Sequence, residues 1–125
     1  MNKKIILGLS LILLMIAVTG CSTQITEEKQ ISLVADGFME SLMYQDWNKV
    51  FDMIYNPYNI SKEKFIDAMG EQGISFTNHS IDKVNIEEDD ENIAYVYVTE
   101  YNEYDQTSAT LKLIKIDDKW LLDIE

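Results

Sequence analysis

The stretch NIAYVYVTEY, residues 92–101, decides the fold class. β-Branched and aromatic residues fill it, which is typical of a strand half-buried in a sheet. Its two faces differ, because alternate residues point to opposite sides: Ala94, Val96 and Val98 share one face, and Tyr95, Tyr97 and Tyr101 share the other. The small apolar face suits packing against helices. The tyrosines would then form a partly solvent-exposed interaction surface. The converse, with tyrosines lining an internal pocket, stays open at this point.

Further strand-like segments lie on both sides of this stretch. Upstream, GISFTNHS (residues 73–80) is compatible with a short strand, and SIDKVNIEE (80–88) with another that has Val84 and Ile86 on one face. Downstream, TSATLKLIKI (107–116) and KWLLDI (119–124) are predicted to form a tight hairpin. The acidic run at residues 87–91 is interpreted as a solvated hairpin loop, because it lacks the spacing and the glycine of a calcium-binding EF-hand loop.

The segment before the strands has helical periodicity. A first helix is predicted from Glu27 to Tyr44, a second over WNKVFDMIY (47–55) and a third over KEKFIDAMGEQ (62–72). Their predicted N-caps are Thr26, Asp46 and Ser61. Pro57 is expected to end the second helix, and Gly70 or Gly73 the third. The sequence therefore predicts an α+β domain over residues 27–125, with three helices packed on a curved antiparallel sheet.

The amino-terminal residues read as a secretion signal. Lys3 and Lys4 precede an apolar run of about fourteen residues, shorter than the roughly 18–20 residues that a spanning helix needs. The run ends in Val18-Thr19-Gly20-Cys21, which closely resembles the lipobox of bacterial lipoproteins. That resemblance implies cleavage of residues 1–20, a diacylglycerol on the Cys21 thiol with a further N-acyl chain (palmitate, for example) as an option, and a lipidated tether over residues 21–26. No other cofactor is expected.

Charge restricts the possible partners. Lys3 and Lys4 are two of the ten basic residues, so residues 21–125 carry eight lysines against 22 acidic residues, a formal charge of −14. Such a domain is repelled by nucleic acid, so no nucleic-acid partner is expected. The single cysteine excludes an intrachain disulfide.

Three segments together resemble the NTF2-like (cystatin-like) roll. They are VADGFMESLMYQDWNKVFDMIY (residues 34–55), SKEKFIDAMGEQGIS (61–75) and IKIDDKWLLDIE (114–125). Small secreted lipoproteins of Gram-positive bacteria, and the amino-terminal domain of some penicillin-binding transpeptidases, are similar. The resemblance implies a cone between helices and sheet. In the enzymes of this fold, isomerases and dehydratases, the cone holds an Asp or His base.

No catalytic set is identified in the residues. His79 is the only histidine and is interpreted as a surface or strand-edge residue, and Asp46 as a helix cap. One histidine without a spaced cysteine pair predicts no metal site. Tyr44, Tyr55 and Tyr58 are candidates for the rim of a pocket near the end of the helix pair, and Asp46 lies at the mouth of that pair. The candidate interaction residues are thus Tyr44, Asp46, Tyr55, Tyr95, Tyr97 and Tyr101.

The expected function is a non-catalytic binding or accessory module, anchored to the outer face of the cytoplasmic membrane of a Gram-positive bacterium. It would present a sheet face or a shallow pocket to an envelope protein or to a second copy. Two alternatives stay open: binding of a small molecule or peptide in the cone, and an isomerase- or dehydratase-type enzyme. The first requires a cone that is not filled by Phe38, Phe51 and Trp120. The second requires Asp46 or His79 in a dry cavity beside a tyrosine.

Overall fold

The computed structural model describes residues 25–124, which form three helices followed by a four-stranded antiparallel sheet. The helices are α1 (Glu27–Met43), α2 (Trp47–Met53) and α3 (Lys62–Gly70). The strands are β1 (Asn78–Ile86), β2 (Ile93–Tyr101), β3 (Gln106–Ile116) and β4 (Lys119–Leu122), and they pair in the order β1-β2-β3-β4. The predicted α+β architecture is confirmed. The signal segment and Cys21 lie outside the described residues.

All three helices begin at their predicted caps, because each cap side chain accepts a hydrogen bond from the N–H group three residues later. The three donors are the N–H groups of Lys29, Lys49 and Lys64, at 3.2, 3.4 and 3.2 Å from Thr26, Asp46 and Ser61. These bonds satisfy amide groups that the first helical turn cannot pair internally.

Helix α2 ends at Met53, so the predicted end at Tyr55 is wrong and Pro57 is not its cause. Ile54 adopts an extended backbone and forms a parallel bridge with Leu122. The N–H of Tyr55 donates to the carbonyl of Leu122 at 2.6 Å. The helix therefore ends at Met53 because Ile54 and Tyr55 pair with Leu122 of the last strand.

The region between α3 and the sheet also differs from expectation. Helix α3 ends at Gly70, one of the two glycines predicted to end it, and not at residue 72. Its C-cap, Glu71, keeps a right-handed backbone, so no glycine in the left-handed region is involved. Residues 73–80 do not form a separate strand. Instead β1 begins at Asn78 and runs to Ile86, with a register shift at Asp82.

The helices cover one face of the sheet, and the core lies between the two layers. Ala94, Val96 and Val98 are at most 1% exposed and belong to this core. Phe38 and Trp120 are buried in the same cluster, and Phe51 packs against it. The small apolar face of β2 is therefore the one that meets the helices, and aromatic side chains fill the space between the layers.

Strands β3 and β4 are joined by a two-residue turn at Asp117 and Asp118. Both residues have positive φ angles, 51° and 63°. Positive φ at both central positions is the geometry of a type I′ turn, which matches the twist of paired strands. Among residues 25–124, no helix is both long and apolar enough to cross a membrane.

Candidate interaction surface

The sheet face opposite the helices carries a row of tyrosines, and we call it the tyrosine face. It is defined by Tyr95, Tyr97 and Tyr101, which share one side of β2. Tyr97 is 39% exposed, and the other two are half-buried. A tyrosine ring offers apolar contact area and its hydroxyl a hydrogen bond, so a row of half-exposed tyrosines suits contact with a partner.

A carboxylate is fixed beside this row by the irregularity in β1. Asp82 lies at the register shift, and its carboxylate accepts hydrogen bonds from the hydroxyls of Thr99 (2.5 Å) and Ser80 (2.7 Å). The Ser80 hydroxyl is also 3.3 Å from the Tyr101 hydroxyl. The hydrogen bond from Thr99, followed by that from Ser80, lowers the pKa of Asp82 below 3.8, so the group stays ionised. This network gives one end of the tyrosine face a defined polar geometry.

Charge on the tyrosine face is balanced, although the domain as a whole is strongly acidic. Pairing register and the bulge place two carboxylates and three lysines there: Asp82, Asp123, Lys83, Lys112 and Lys119. Asp123 forms an ion pair with Lys112 at 3.5 Å. A partner that approaches this face meets little of the repulsion that the remaining acidic residues would cause.

Tyr44 and Asp46 lie elsewhere, in a surface cavity of about 380 Å³ between α1 and α2. Tyr44 is 74% exposed. Asp46 is committed to its capping bond and to an ion pair with Lys49 at 3.7 Å. The cavity is also lined by Asp52, so its charge is mainly negative.

Tyr55 lies at a third location, where it lines an apolar cavity of about 120 Å³ below α3. Ile54, Pro57 and Phe65 contribute to the wall, together with Ile124. The six candidate residues therefore do not form one site. The three sheet tyrosines share a face, and the other three line two separate surface cavities.

His79 lies on the edge strand β1, in agreement with the strand-edge interpretation, but its side chain turns toward the helices. Its side chain is only 9% exposed, and its Nε2 lies 2.7 Å from the Asp36 carboxylate on α1. Its Nδ1 is buried and has no hydrogen-bond partner within the described residues. A general base needs one ring nitrogen that can reach a substrate. Asp36 occupies one ring nitrogen of His79 and burial encloses the other, so neither nitrogen can reach a substrate. The contact between His79 and Asp36 instead links α1 to β1.

A second contact between helix and sheet was not predicted from the sequence. The Lys115 ammonium contacts the Glu27 carboxylate and lies 5.8 Å above the ring of Trp120. The hydrogen bond to Glu27 raises the pKa of Lys115 above 10.5, so it remains charged. The partners are 88 residues apart in sequence, and no local pattern links them.

The described residues contain no group of three or more histidine, cysteine or acidic side chains arranged to hold a metal ion. The acidic run at residues 87–91 connects β1 to β2, as predicted. Its Asp90 carboxylate accepts a hydrogen bond from the Asn92 N–H at 3.0 Å, which is a local turn contact.

No protein-family model matches the chain, and no curated protein matches it. A solved structure does: the crystal structure of a Campylobacter jejuni protein named "Putative NTF2-like transpeptidase" superposes with a TM-score of 0.56. The fold is NTF2-like. The likeness extends over 73% of this chain and 94% of that one, at 20% sequence identity. The NTF2-like architecture expected from the three sequence segments is thus confirmed, and a likeness at this identity carries the fold alone.

Proposed function

We propose that this protein is a lipid-anchored, extracytoplasmic binding module that presents its tyrosine face to a protein partner in the cell envelope. The observation that carries the proposal is the tyrosine face itself, which combines half-exposed tyrosines, balanced charge and a fixed carboxylate on an otherwise acidic domain. The anchor is inferred from Val18-Thr19-Gly20-Cys21, with two acyl chains giving stable attachment.

The filled interior favours a function at the protein surface over the binding of a ligand in the cone. Phe38 and Trp120 are 6% and 4% exposed and pack in the core, so aromatic rings fill the centre of the cone. A ligand there would have to displace them, at a cost of several kcal/mol for each buried ring.

The positions of the candidate bases favour binding over catalysis. Asp46 is held as a helix cap, and both ring nitrogens of His79 are occupied or enclosed. The likeness to the Campylobacter jejuni protein, at 20% identity, carries the fold and nothing about the reaction.

The anchor is tested by Cys21→Ala in the full chain. We expect the variant in the medium and the parent in the membrane fraction, because only the thiol can take the diacylglycerol. Ser22→Ala is the matched control and should stay with the membrane. Mass spectrometry of the parent should find an acylated cysteine as the first residue. A Cys21→Ala chain that remains fully membrane-bound would contradict the anchor.

The tyrosine face is tested by photo-crosslinking in the native membrane. A benzoyl-phenylalanine at position 97 is compared with one at position 104, since Tyr104 is 90% exposed but lies in a loop. We expect a discrete cross-linked product from position 97 and none from position 104. Equal products from the two positions, or none from position 97, would show that the tyrosine face binds no partner.

A further inference from the structure

The bulge in β1 places a carboxylate beside the centre of the tyrosine face. The pairing of β1 with β2 shifts register between Ile81 and Lys83, so Asp82 is the extra residue. Lys83 pairs with Tyr97, which places Asp82 next to Tyr97 across the ladder. Asp82 is exposed. A partner that contacts Tyr97 therefore also reaches this carboxylate.

Two hydroxyl groups hold the Asp82 carboxylate in one orientation. The hydroxyl of Ser80 donates to Oδ1 at 2.7 Å, and that of Thr99 donates to Oδ2 at 2.5 Å. Thr99 is 8% exposed, so its hydroxyl is itself held by the packing around it. Each carboxylate oxygen can accept two hydrogen bonds, so each keeps a position for a further donor. The carboxylate is thus fixed and still able to bind.

No cation within residues 25–124 neutralises Asp82. It takes part in none of the ion pairs of this part of the chain, and Lys83, the next residue, is not within ion-pair distance. The pKa of Asp82 is lowered by the hydrogen bonds from Thr99 and then Ser80, without a contribution from a lysine. Asp123, on the same face, is already in an ion pair. Asp82 is therefore a fixed negative charge without a counter-ion among the described residues.

An arginine side chain is the cation that best fits these surroundings. Its planar guanidinium can donate two parallel hydrogen bonds to a carboxylate, and its flat face stacks on aromatic rings. Tyr97 lies beside the carboxylate and is 39% exposed. The hydroxyl of Tyr101 is 3.3 Å from that of Ser80. A lysine ammonium is more strongly hydrated and has no flat face, so it matches a carboxylate beside a ring less well.

We infer that the partner of the tyrosine face carries an arginine that binds Asp82 and stacks against Tyr97. This inference rests on the proposed function, because it names the chemistry of the partner. A fixed carboxylate loses little conformational freedom on binding, whereas a mobile exposed lysine such as Lys83 can move aside. The acidic domain also attracts a cationic partner before contact. A second copy of this chain cannot supply the group, because the sequence contains no arginine.

Photo-crosslinking from position 97 in the native membrane tests the contact when Asp82→Asn is added to the chain. The amide keeps the size of the side chain but not its charge. We expect the product to fall about tenfold, the effect of losing one hydrogen bond to a charged group. Asp67→Asn is the matched control, because Asp67 is exposed on α3 and its replacement removes the same charge. That variant should leave the product unchanged.

Thr99→Val separates the charge from its orientation. The variant keeps the shape of the side chain and removes the hydroxyl that donates to Asp82, while the carboxylate stays in place. We expect a smaller loss of product than with Asp82→Asn, and circular dichroism shows whether each variant is folded. A larger loss from folded Thr99→Val than from folded Asp82→Asn would show that the partner does not depend on the charge, and would overturn the inference.

Acetyl-arginine amide and acetyl-lysine amide test the kind of cation, because each probe carries one positive side-chain charge. Both are added at roughly millimolar concentration to the released Cys21→Ala chain and followed by nuclear magnetic resonance. We expect the arginine probe to shift the signals of the Thr99 methyl group and the Tyr97 ring more than the lysine probe does. Asp82→Asn should abolish the difference. Equal shifts with the two probes in the Cys21→Ala chain would overturn the choice of arginine.

The outcomes separate this inference from the proposed function. An unchanged product with Asp82→Asn, or an equal fall with Asp67→Asn, would overturn the arginine contact but leave a partner on the tyrosine face. No product from position 97 in the otherwise unchanged chain would overturn both. A product of twice the monomer mass would show that a second copy occupies the face, and would also overturn the inference.

Discussion

Replacement of Leu113 by alanine tests which face of the sheet the helices cover. Leu113 lies on the core face of β3 and is 0% exposed. A fully buried Leu→Ala change costs the transfer energy of the lost carbons and a cavity term, and such changes range over about 2–5 kcal/mol. We expect about 3 kcal/mol here. For a domain of this size, that loss lowers the melting temperature by about 12–24 °C.

Leu33→Ala is the matched control because the chemical change is the same and Leu33, on α1, is 51% exposed. Half of its side chain is already in water, and alanine is a good helix former. We therefore expect a cost of about 1 kcal/mol or less.

Urea unfolding followed by tryptophan fluorescence measures both variants in the released Cys21→Ala chain. Trp47 and Trp120 are 9% and 4% exposed, so unfolding brings both indoles into water and changes their emission. If the two variants lose equal stability, the assignment of the covered face is wrong. The tyrosine face would then not be free for a partner.

Three further predictions concern the turn, the fixed carboxylate and a cap. Asp118→Gly should stabilise the fold by up to about 1 kcal/mol in thermal unfolding, because its φ of 63° suits glycine, whereas Asp90→Gly, where φ is not positive, should not. The folded-state pKa of Asp82 is below 3.8, so its carboxylate contributes stability above that pH that is lost as the pH falls through the folded value. Asp82→Asn should therefore reduce the fall of the urea midpoint as the pH is lowered, and an unchanged fall would contradict the hydrogen-bond network. Ser61→Ala should cost about 1 kcal/mol in urea unfolding, because the Lys64 N–H loses its acceptor, and Ser61→Thr should recover most of it.

The local features of the fold could be predicted from sequence because short-range chemistry determines them. The caps at Thr26, Asp46 and Ser61 need only a side-chain oxygen three residues before an unpaired amide. The alternation in β2 likewise separates its tyrosines from its small apolar residues, and the structure confirms the division.

The features that the sequence did not reveal depend on partners distant in the chain. Helix α2 ends early because Leu122 bridges Ile54, which no pattern near Pro57 indicates. His79 is enclosed because Asp36 faces it from α1, 43 residues away. The polar residues around His79 in sequence predicted a surface or strand-edge position; the strand is at the edge, but the side chain points to the helix. Prediction of the candidate site is limited in the same way. Periodicity predicts which tyrosines share a face of β2, but the packing of the helices decides which face of the sheet is exposed.

The bridge between Ile54 and Leu122 also bears on the order of folding events. It joins residues 68 positions apart, and Trp120 and Leu122 complete the core that the helices begin. A growing chain can form its helices early, but it cannot close this core until residue 122 is available. Loop closure over such a distance costs entropy before any contact is gained, so refolding should be slower than for a helical bundle of equal length. A chain stopped just before Trp120 should remain a loosely packed, protease-sensitive intermediate.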